Sequence, residues 1–257
     1  VNSPWLRDDQ HMIIGDILDA ELVEQTIKGA KFVYNFAALA DLNQALDNPI
    51  KTAEINILGN INVLEACRIH NVERFIFAST VYVHSREGSF YRCSKQSSEY
   101  YVEEYQKIYN LNYTILRYGS LYGPRADDTN GIYRIVSSAL KTGQVKYEGN
   151  FESMREYIHV EDAARASTSI LNEPFNGSII LTGQEPICVV DLFKMIAEIL
   201  NFNDDSVELI EGEYSGHYVR TPYAYQPKPG RKYIPSTHVD LGQGLLQLIT
   251  ELDNCKA

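Results

Sequence analysis

The sequence has no surplus of basic residues. It holds 23 Lys and Arg against 34 Asp and Glu, which gives a formal net charge of −11 at pH 7. Domains that bind nucleic acid usually present a basic surface to the phosphate backbone. The composition therefore argues against a nucleic-acid partner and favours a small molecule as the ligand.

Cysteine is scarce, and the few cysteines lie far apart. The chain contains Cys67, Cys93, Cys188 and Cys255 with no CxxC pair, and its six histidines are scattered. Neither a zinc site nor a dense disulfide framework fits this spacing. We expect no metal site, and we expect reduced thiols in a cytoplasmic protein.

Long apolar runs are also missing. No stretch approaches the roughly 20 apolar residues that a membrane-spanning helix needs. The opening "VNSPWLRDDQ" has no charged region followed by an apolar one, as a signal peptide would. We therefore expect a soluble protein with no membrane partner.

The 257 residues do show a regular alternation of apolar strands and amphipathic helices. Apolar runs predict a strand end and turn at 11–17, strands at 31–39 and 73–80, and a strand followed by a loop over 113–123. Helical periodicity predicts helices over 19–29, 48–71 and 90–110. Parallel strands need a crossover long enough to hold a helix, so this order predicts an α/β fold with a parallel sheet. Ligands of such sheets lie at the carboxyl ends of the strands.

Six short blocks, in order and spacing, resemble one family. They are "GDI" (15–17), "NFAALA" (35–40), "FIFAST" (75–80), "YRCSK" (91–95), "LRYGSLYGPR" (116–125) and "REYIHVEDAARA" (155–166). Together they resemble the extended short-chain dehydrogenase/reductases, within them the NAD-dependent epimerase/dehydratase family, and there the UDP-glucose 4-epimerases. The resemblance implies a Rossmann-type doubly wound parallel sheet with a smaller substrate-binding lobe. We expect 1–125 to form the dinucleotide-binding part and 126–257 mainly the smaller lobe, with some segments returning to the sheet.

One block of that family has no counterpart in the sequence. The glycine-rich turn that carries the dinucleotide pyrophosphate, between the first strand and helix, is absent, and the sequence begins near the family's third strand. Either the chain is part of a longer protein or its sheet is incomplete. We favour a longer protein, because an incomplete sheet would expose the flank of a buried strand.

Tyr91 and Lys95 are the candidate catalytic pair. A spacing of four places both side chains on one helical face. A tyrosine that acts as a base near pH 7 needs its pKa lowered by about 3 units from about 10, and a nearby ammonium favours this. The spacing alone also fits an ordinary surface pair. The resemblance implies catalysis by Tyr91 and Lys95 together with Thr80, which would hydrogen-bond the reacting hydroxyl.

The resemblance also implies NAD as cofactor. The positions that match cofactor contacts are Asp16, Ile17, Ala37, Ala38, Asn56, Ser79, Tyr91, Lys95 and Tyr118. Asp16 could instead cap a turn, and the two alanines could simply pack tightly. The choice of NAD over NADP rests on the resemblance, because the residue that reads the ribose is not in the sequence.

A nucleotide sugar, with UDP as the expected nucleotide, is the implied substrate. The matching positions are Thr80, Ser120, Arg155 and Arg220, with Tyr223 a weaker candidate. Ser120 stands where the family usually has asparagine. Arg155 suits a diphosphate, although a salt bridge with Glu152 or Glu156 is an alternative.

Val81 and Tyr82 follow Thr80, where dehydratases of the family carry an acidic residue. We therefore predict an NAD-dependent 4-epimerase that oxidises a sugar hydroxyl transiently. The alternatives are an NAD(P)-dependent reductase or dehydrogenase of the same family and a non-catalytic dinucleotide-binding fragment. Tyr101, Tyr105 and Ile108 form an apolar helix edge, on which the resemblance implies a homodimer.

Overall fold

A five-stranded parallel sheet organises the protein. The computed structural model describes residues 3–172, 175–212, 217–221, 231–233 and 235–254, and Tyr223 and Cys255 lie outside them. Within these ranges the strand order of the sheet is β1-β2-β3-β8-β11, and each neighbouring pair is parallel. The predicted α/β class is confirmed.

The strands are β1 (Phe32–Asn35), β2 (Arg74–Thr80), β3 (Tyr113–Tyr118), β4 (Ser120–Tyr122), β5 (Val145–Gly149), β6 (Met154–Arg155), β7 (Tyr157–His159), β8 (Gly177–Leu181), β9 (Ile187–Cys188), β10 (Val207–Glu211) and β11 (Arg231–Lys232). The helices are α1 (Ala20–Ile27), α2 (Leu42–Asp47), α3 (Pro49–Ala53), α4 (Gly59–Ile69), α5 (Ser89–Tyr109), α6 (Gly131–Thr142), α7 (Val160–Ser169), α8 (Val189–Ile199) and α9 (Leu241–Asn254). A π-helical turn, Glu54–Leu58, joins α3 to α4.

The central strands bury both faces, as a doubly wound sheet requires. Phe75, Phe77 and Ile115 point to one face, where they pack with residues of α1, α4 and α5. Ile76 and Leu116, one position out of phase, point to the opposite face and pack against α7. The sheet is therefore covered by helices on both sides.

A second apolar core lies beyond the sheet. It joins α6, α8 and α9 with the small β5–β10 ribbon, and its fully buried members include Val136, Leu192, Ile196 and Leu245. β8 and β11 return from this half of the chain to the five-stranded sheet. The carboxyl ends of β2 and β3 therefore face a second packed unit.

The apolar run 11–17 does not form the predicted strand. Residues 11–16 have no regular structure, and Ile13 and Ile14 are 49% and 61% exposed. In the described part of the chain β1 pairs only with β2, so no strand is placed to hydrogen-bond this run. A strand needs a neighbour to satisfy its backbone, and periodicity alone does not supply one.

The helix after Pro49 is confirmed, but it contains a feature that its periodicity did not predict. Pro49 takes the first helical position, which suits a residue without a backbone N–H. The π-helical turn then interrupts the α-helical ladder. Asn56 lies in this turn, is 2% exposed and bonds to the backbone of Leu39 and the side chain of Ser94.

Two other expectations need correction. The loop predicted after β3 contains β4, which pairs with β7. Tyr105 is not on an exposed edge, because it is 9% exposed and donates to Glu65 of α4 at 2.6 Å.

The start of α7 is capped by His159. Asp162, in the first turn of that helix, accepts from the backbone N–H of Val239 at 2.8 Å.

Within the described ranges, no helix is long and apolar enough to cross a membrane. The same ranges contain no group of three or more His, Cys, Asp or Glu side chains that could hold a metal ion.

Candidate active site

The candidate catalytic residues meet at the carboxyl end of β2. Thr80 ends that strand, is 5% exposed and pairs in register with Tyr118 of β3. Tyr91 and Lys95 lie one turn apart in α5, as their spacing predicted. The Tyr91 hydroxyl is hydrogen-bonded to the Thr80 side chain. Residues from two elements are thus assembled into one constellation.

Lys95 is held beneath this constellation. It is 3% exposed, and its ammonium donates to the carbonyl of Ala78 at 2.7 Å. The same nitrogen lies 4.7 Å from the centroid of the Phe77 ring and 5.9 Å from that of Tyr91. A cation over an aromatic face is favoured electrostatically, more so when it is desolvated.

Burial shifts the pKa values of Tyr91 and Lys95 in the directions that disfavour their charged forms. It raises the pKa of Tyr91 to about 12, although the hydrogen bond with Thr80 opposes this. It lowers the pKa of Lys95 to about 8, while the negative charge of Glu99 acts in the opposite direction. At pH 7 the lysine is therefore still charged. The tyrosine needs further positive charge nearby before it can act as a base.

A short loop brings α5 close to the end of β2. Gly88, at φ 93°, is the N-cap of α5, and a Cβ there would meet the Tyr82 ring at 2.6 Å. Both the left-handed backbone and the close approach require glycine. The loop before α5 therefore packs directly on the segment that follows Thr80.

Ser79 is turned away from the site. It is 3% exposed and donates to Glu99 at 2.5 Å, and it lines neither cavity described below. Its predicted contact with the cofactor is therefore not supported by this geometry. Glu99 also accepts from Arg117, at 2.7 and 3.0 Å. Sequence reasoning missed both charges, although Glu99 follows Lys95 by four positions in the same helix.

A cavity of about 340 Å³ opens at this point between the sheet and the second core. Its lining includes Thr80, Tyr91, Tyr118, Ser120 and Arg155, which are predicted catalytic, cofactor or substrate residues. An adjoining cavity of about 570 Å³ shares Arg155 with it. The structure thus brings together residues from 80 to 155 along the chain.

Two predicted arginines have different surroundings. Arg155 donates to the carbonyl of Met154 at 2.9 Å, and its guanidinium lies 4.6 Å from the Tyr218 ring centroid. These contacts replace the salt bridge considered from the sequence. Arg220 is exposed and lines neither cavity, so the structure does not support it as a substrate contact.

Sequence reasoning missed three other side chains that line the first cavity, namely Tyr82, His217 and Tyr218. The hydroxyl of Tyr82 is hydrogen-bonded to Nδ1 of His217 at 2.5 Å, and the Tyr82 ring lies 4.9 Å from that of Tyr218. Burial, with Arg155 and Arg134 nearby, lowers the pKa of His217 to about 4. The two partners are 135 positions apart, so no local pattern could have paired them.

Two further predicted cofactor residues are held by hydrogen bonds: Asn56, and Tyr118 in the lining of the first cavity. Asn56 accepts from the Leu39 backbone N–H at 2.7 Å and donates to Ser94 at 2.9 Å, so it steadies the segment that contains Ala38. Tyr118 bonds through its hydroxyl to Ser167 at 2.6 Å.

Asp16 accepts from the backbone N–H of Leu18 at 2.9 Å, which is the turn cap considered as the alternative. Ile17 packs where a side chain on Gly59 would be, 2.7 Å from the position of its Cβ. Asp16, Ile17 and Ala37 line a separate cavity of about 460 Å³ at the sheet edge.

Comparisons with curated proteins agree with this geometry. A protein of Methanocaldococcus jannaschii, provisionally named a UDP-glucose 4-epimerase, is 29% identical over 224 residues, which cover 80% of this chain and 73% of that protein. The dTDP-glucose 4,6-dehydratase of Mycobacterium tuberculosis is 29% identical over 196 residues, covering 70% of this chain and 59% of the relative.

Solved structures share the fold. UDP-glucose 4-epimerase of Thermotoga maritima with UDP-glucose superimposes with a TM-score of 0.81 at 24% identity, covering 95% of this chain and 84% of the other. UDP-glucuronic acid 4-epimerase of Bacillus cereus, in complex with UDP-glucuronic acid and NAD, gives a TM-score of 0.81 at 20% identity, covering 94% and 81%.

The model of one family matches residues 1–181, which include β1, β2, β3, α5 and both catalytic candidates of that helix. The family is described as the NAD dependent epimerase/dehydratase family. On this match, the chain belongs to the NAD-dependent epimerase/dehydratase family of enzymes.

Proposed function

We propose that the protein is an NAD-dependent nucleotide-sugar epimerase that acts by transient oxidation of a sugar hydroxyl. The observation that carries the proposal is the meeting of Thr80 and Tyr91 at the wall of one cavity, with the buried ammonium of Lys95 one helical turn behind Tyr91. The 4-epimerase names of several relatives support the reaction type.

The residues present fit the nicotinamide end of NAD. An ammonium has three N–H donors, and the hydrogen bond described for Lys95 uses one of them, at Ala78. A ribose diol next to Tyr91 would accept the others. Tyr118 and the backbone at Ala37 and Ala38 lie along the same end of the sheet, and Asp16 and Ile17 would hold the adenine. When bound, NAD supplies the hydride acceptor and a positive charge beside Tyr91.

These side chains would handle the proton of the substrate. Thr80 would hold the reacting hydroxyl by a hydrogen bond, and Tyr91, as a phenolate, would take the proton of that hydroxyl. Lys95 would stabilise the phenolate through its positive charge. Tyr91 would return the proton to the same oxygen when the sugar hydroxyl is formed again.

Two guanidinium groups support a diphosphate in the substrate. Arg134 and Arg155 line both cavities, and planar guanidinium groups bind phosphate oxygens in pairs. Tyr147 and Phe193, whose ring centroids are 4.9 Å apart, give the second cavity an aromatic wall on which a base could stack. We propose a UDP-sugar, with the hexose beside Tyr91.

A reductase or dehydrogenase of the same family is the second candidate, since its hydroxyl chemistry would use the same three side chains. Val81 and Tyr82 supply no carboxylate after Thr80, which favours either reaction over elimination of water. An epimerase shows no net turnover of dinucleotide, whereas a reductase consumes it stoichiometrically.

The test is to incubate the purified protein with NAD and UDP-glucose and to quantify UDP-galactose and NADH. We expect interconversion of the sugars without net NADH, and its loss in Tyr91→Phe. Interconversion that persists in Tyr91→Phe would overturn the assigned roles. Stoichiometric NADH would favour the dehydrogenase, and dinucleotide binding with no reaction on any UDP-sugar would favour the non-catalytic alternative.

We also propose a homodimer formed through α4 and α5. Apolar side chains on these helices stay exposed in the single chain, namely Ile69 (45%), Tyr101 (43%) and Ile108 (62%). Such a face is typical of an interface. Sedimentation should give a dimer for the protein and a monomer for Ile108→Glu; a monomer for both would overturn the proposal.

A cytoplasmic location is proposed from the thiols. Cys67, Cys93 and Cys188 are free in the described part of the chain. Structural disulfides are typical of oxidising compartments.

A further inference from the structure

A buried ion pair lies directly behind the catalytic pair. Arg117 donates to Glu99 through Nε and Nη2, at 3.0 and 2.7 Å, and Ser79 donates to the same carboxylate at 2.5 Å. The side chains of Arg117 and Glu99 are only 6% and 8% exposed. The carboxylate therefore carries its charge in a site that is almost dry, where charges act strongly on one another.

The position of the pair links it to the reacting groups. Glu99 is one helical turn after Lys95 in α5, and Arg117 pairs in register with Ser79, the residue before Thr80. Lys95 itself bonds to the carbonyl of Ala78. The ion pair thus touches both the strand and the helix that present the catalytic side chains.

Stability alone does not explain such a pair. Removing two charges from water costs several kcal/mol per ion, and apolar replacements of buried ion pairs are often neutral or stabilising. Beside Lys95 the anion has a specific effect, because burial lowers the pKa of the lysine to about 8 and Glu99 is the group that raises it.

The other groups around Lys95 offer no second anion in the described structure. Tyr91 on α5 and Phe77 on β2 present aromatic rings to the ammonium. On the 3₁₀ turn after β2, burial and Arg117 lower the pKa of His84 to about 4, so it is neutral at pH 7. Asn56 on the π-helical turn reaches the region through Ser94 and carries no charge.

We propose that Glu99, balanced by Arg117, is the residue that keeps Lys95 protonated beside Tyr91. The inference rests on the proposed function in one respect, namely that the charge of Lys95 assists the reaction at Tyr91. Arg117 has two effects: it stabilises the buried carboxylate, and it offsets part of the field that the carboxylate exerts on Lys95.

The test measures the protonation of Lys95 directly. NMR of the side-chain Cε and Nζ of lysine-labelled protein, assigned with Lys95→Arg, gives its titration midpoint without substrate. We expect a midpoint near pH 8 in the protein. In Glu99→Gln we expect a proton affinity lower by about tenfold or more. Glu104→Gln, the same change at an exposed site of α5, serves as the matched control.

A double variant separates electrostatics from damage to the fold. Glu99→Gln leaves the charge of Arg117 buried without its anion, which further disfavours a charged lysine. Glu99→Gln with Arg117→Met removes both charges. We expect the proton affinity of Lys95 to fall in the order protein, double variant, Glu99→Gln. If Glu99→Gln does not fold, the double variant still tests the proposal. Its Lys95 must bind a proton less tightly than Lys95 of the unchanged protein.

Activity gives an independent readout. The fall of kcat at high pH should move to lower pH in Glu99→Gln, because Lys95 loses its proton earlier. In Glu99→Gln, a Lys95 titration midpoint equal to that in Glu104→Gln would overturn the proposal. A higher proton affinity of Lys95 in Glu99→Gln than in the double variant would also overturn it. A shifted midpoint in a protein that epimerises no sugar would leave this inference standing and refute the proposed function.

Discussion

Two regions of the sheet carry motifs of the family, but their side chains differ in how deeply they are buried. The candidate catalytic end is defined as Thr80, Tyr91, Lys95, Glu99 and Arg117. All of these except the half-buried Tyr91 are buried, and short hydrogen bonds and an ion pair join them. The amino-terminal edge, defined as residues 13–17 and 32–38, is largely exposed, with Phe36 57% accessible. Matching motifs therefore identify candidate residues, whereas burial decides how strongly each is held.

The largest expected difference between the two ends is catalytic. Lys95→Met should lower kcat about a hundredfold or more, because it removes the charge that assists proton transfer. Asp16→Asn should leave kcat unchanged and weaken dinucleotide binding by at most about tenfold, the effect of one hydrogen bond. Steady-state kinetics and titration calorimetry with NAD would check both; equal losses of kcat would contradict the comparison.

The next difference is in stability. Phe77 is 1% exposed, and Phe77→Ala should lower the free energy of unfolding by about 3–5 kcal/mol, since it leaves a cavity beneath Lys95. Phe36→Ala, the same change at the amino-terminal edge, should cost less than about 0.5 kcal/mol. Urea unfolding measures both. A large cost at Phe36 would mean that something covers this edge in solution.

A smaller loss of stability is expected at Asn56, which joins the backbone of Leu39 to Ser94 of α5. Asn56→Ala should cost about 1–3 kcal/mol, because it leaves the N–H and C=O of Leu39 without their partner. Asn62→Ala, which removes one bond to the Ile17 carbonyl, should cost less. Hydrogen exchange should speed up at the Leu39 amide only in Asn56→Ala. Equal exchange in the two variants would contradict this role.

The smallest expected effect is in acid. The pKa of His84 is lowered to about 4 in the folded protein, so the unfolded chain binds more protons below about pH 6.5. Stability should thus fall as pH drops from 6.5 to 4. His84→Gln should reduce this fall by about 1 kcal/mol after allowance for solvent screening. Unfolding at pH 7 and 4.5 checks this, with the exposed His238→Gln as control; an unchanged fall in His84→Gln would refute it.

Much of the fold was predictable because its causes are local. The helix over α5 follows from its apolar stripe, and Pro49 at the first helical position marked the start of the long helix. The strand expected at 11–17 failed because strand formation depends on a neighbour, which periodicity does not report.

The candidate site was predictable only in part. The spacing of four placed Tyr91 and Lys95 on one helical face, but their catalytic role, like that of Thr80, was predicted from the family resemblance. The partner of Ser79 was not predictable, since alternation along a strand says which face a residue takes but not which partner it meets there. Its partner Glu99 lies 20 positions away.

By itself the sequence determined the alternation of elements and the family, and it singled out Thr80, Tyr91 and Lys95 as catalytic candidates, because each depends on the order of residues along the chain. Only the tertiary structure decided which charges surround these candidates. The meeting of Glu99 with Arg117, and of Tyr82 with His217, depends on how β2, β3 and α5 pack and where residues 217–221 return. Electrostatic effects act through distance in space and through burial, and neither can be read from positions in a sequence.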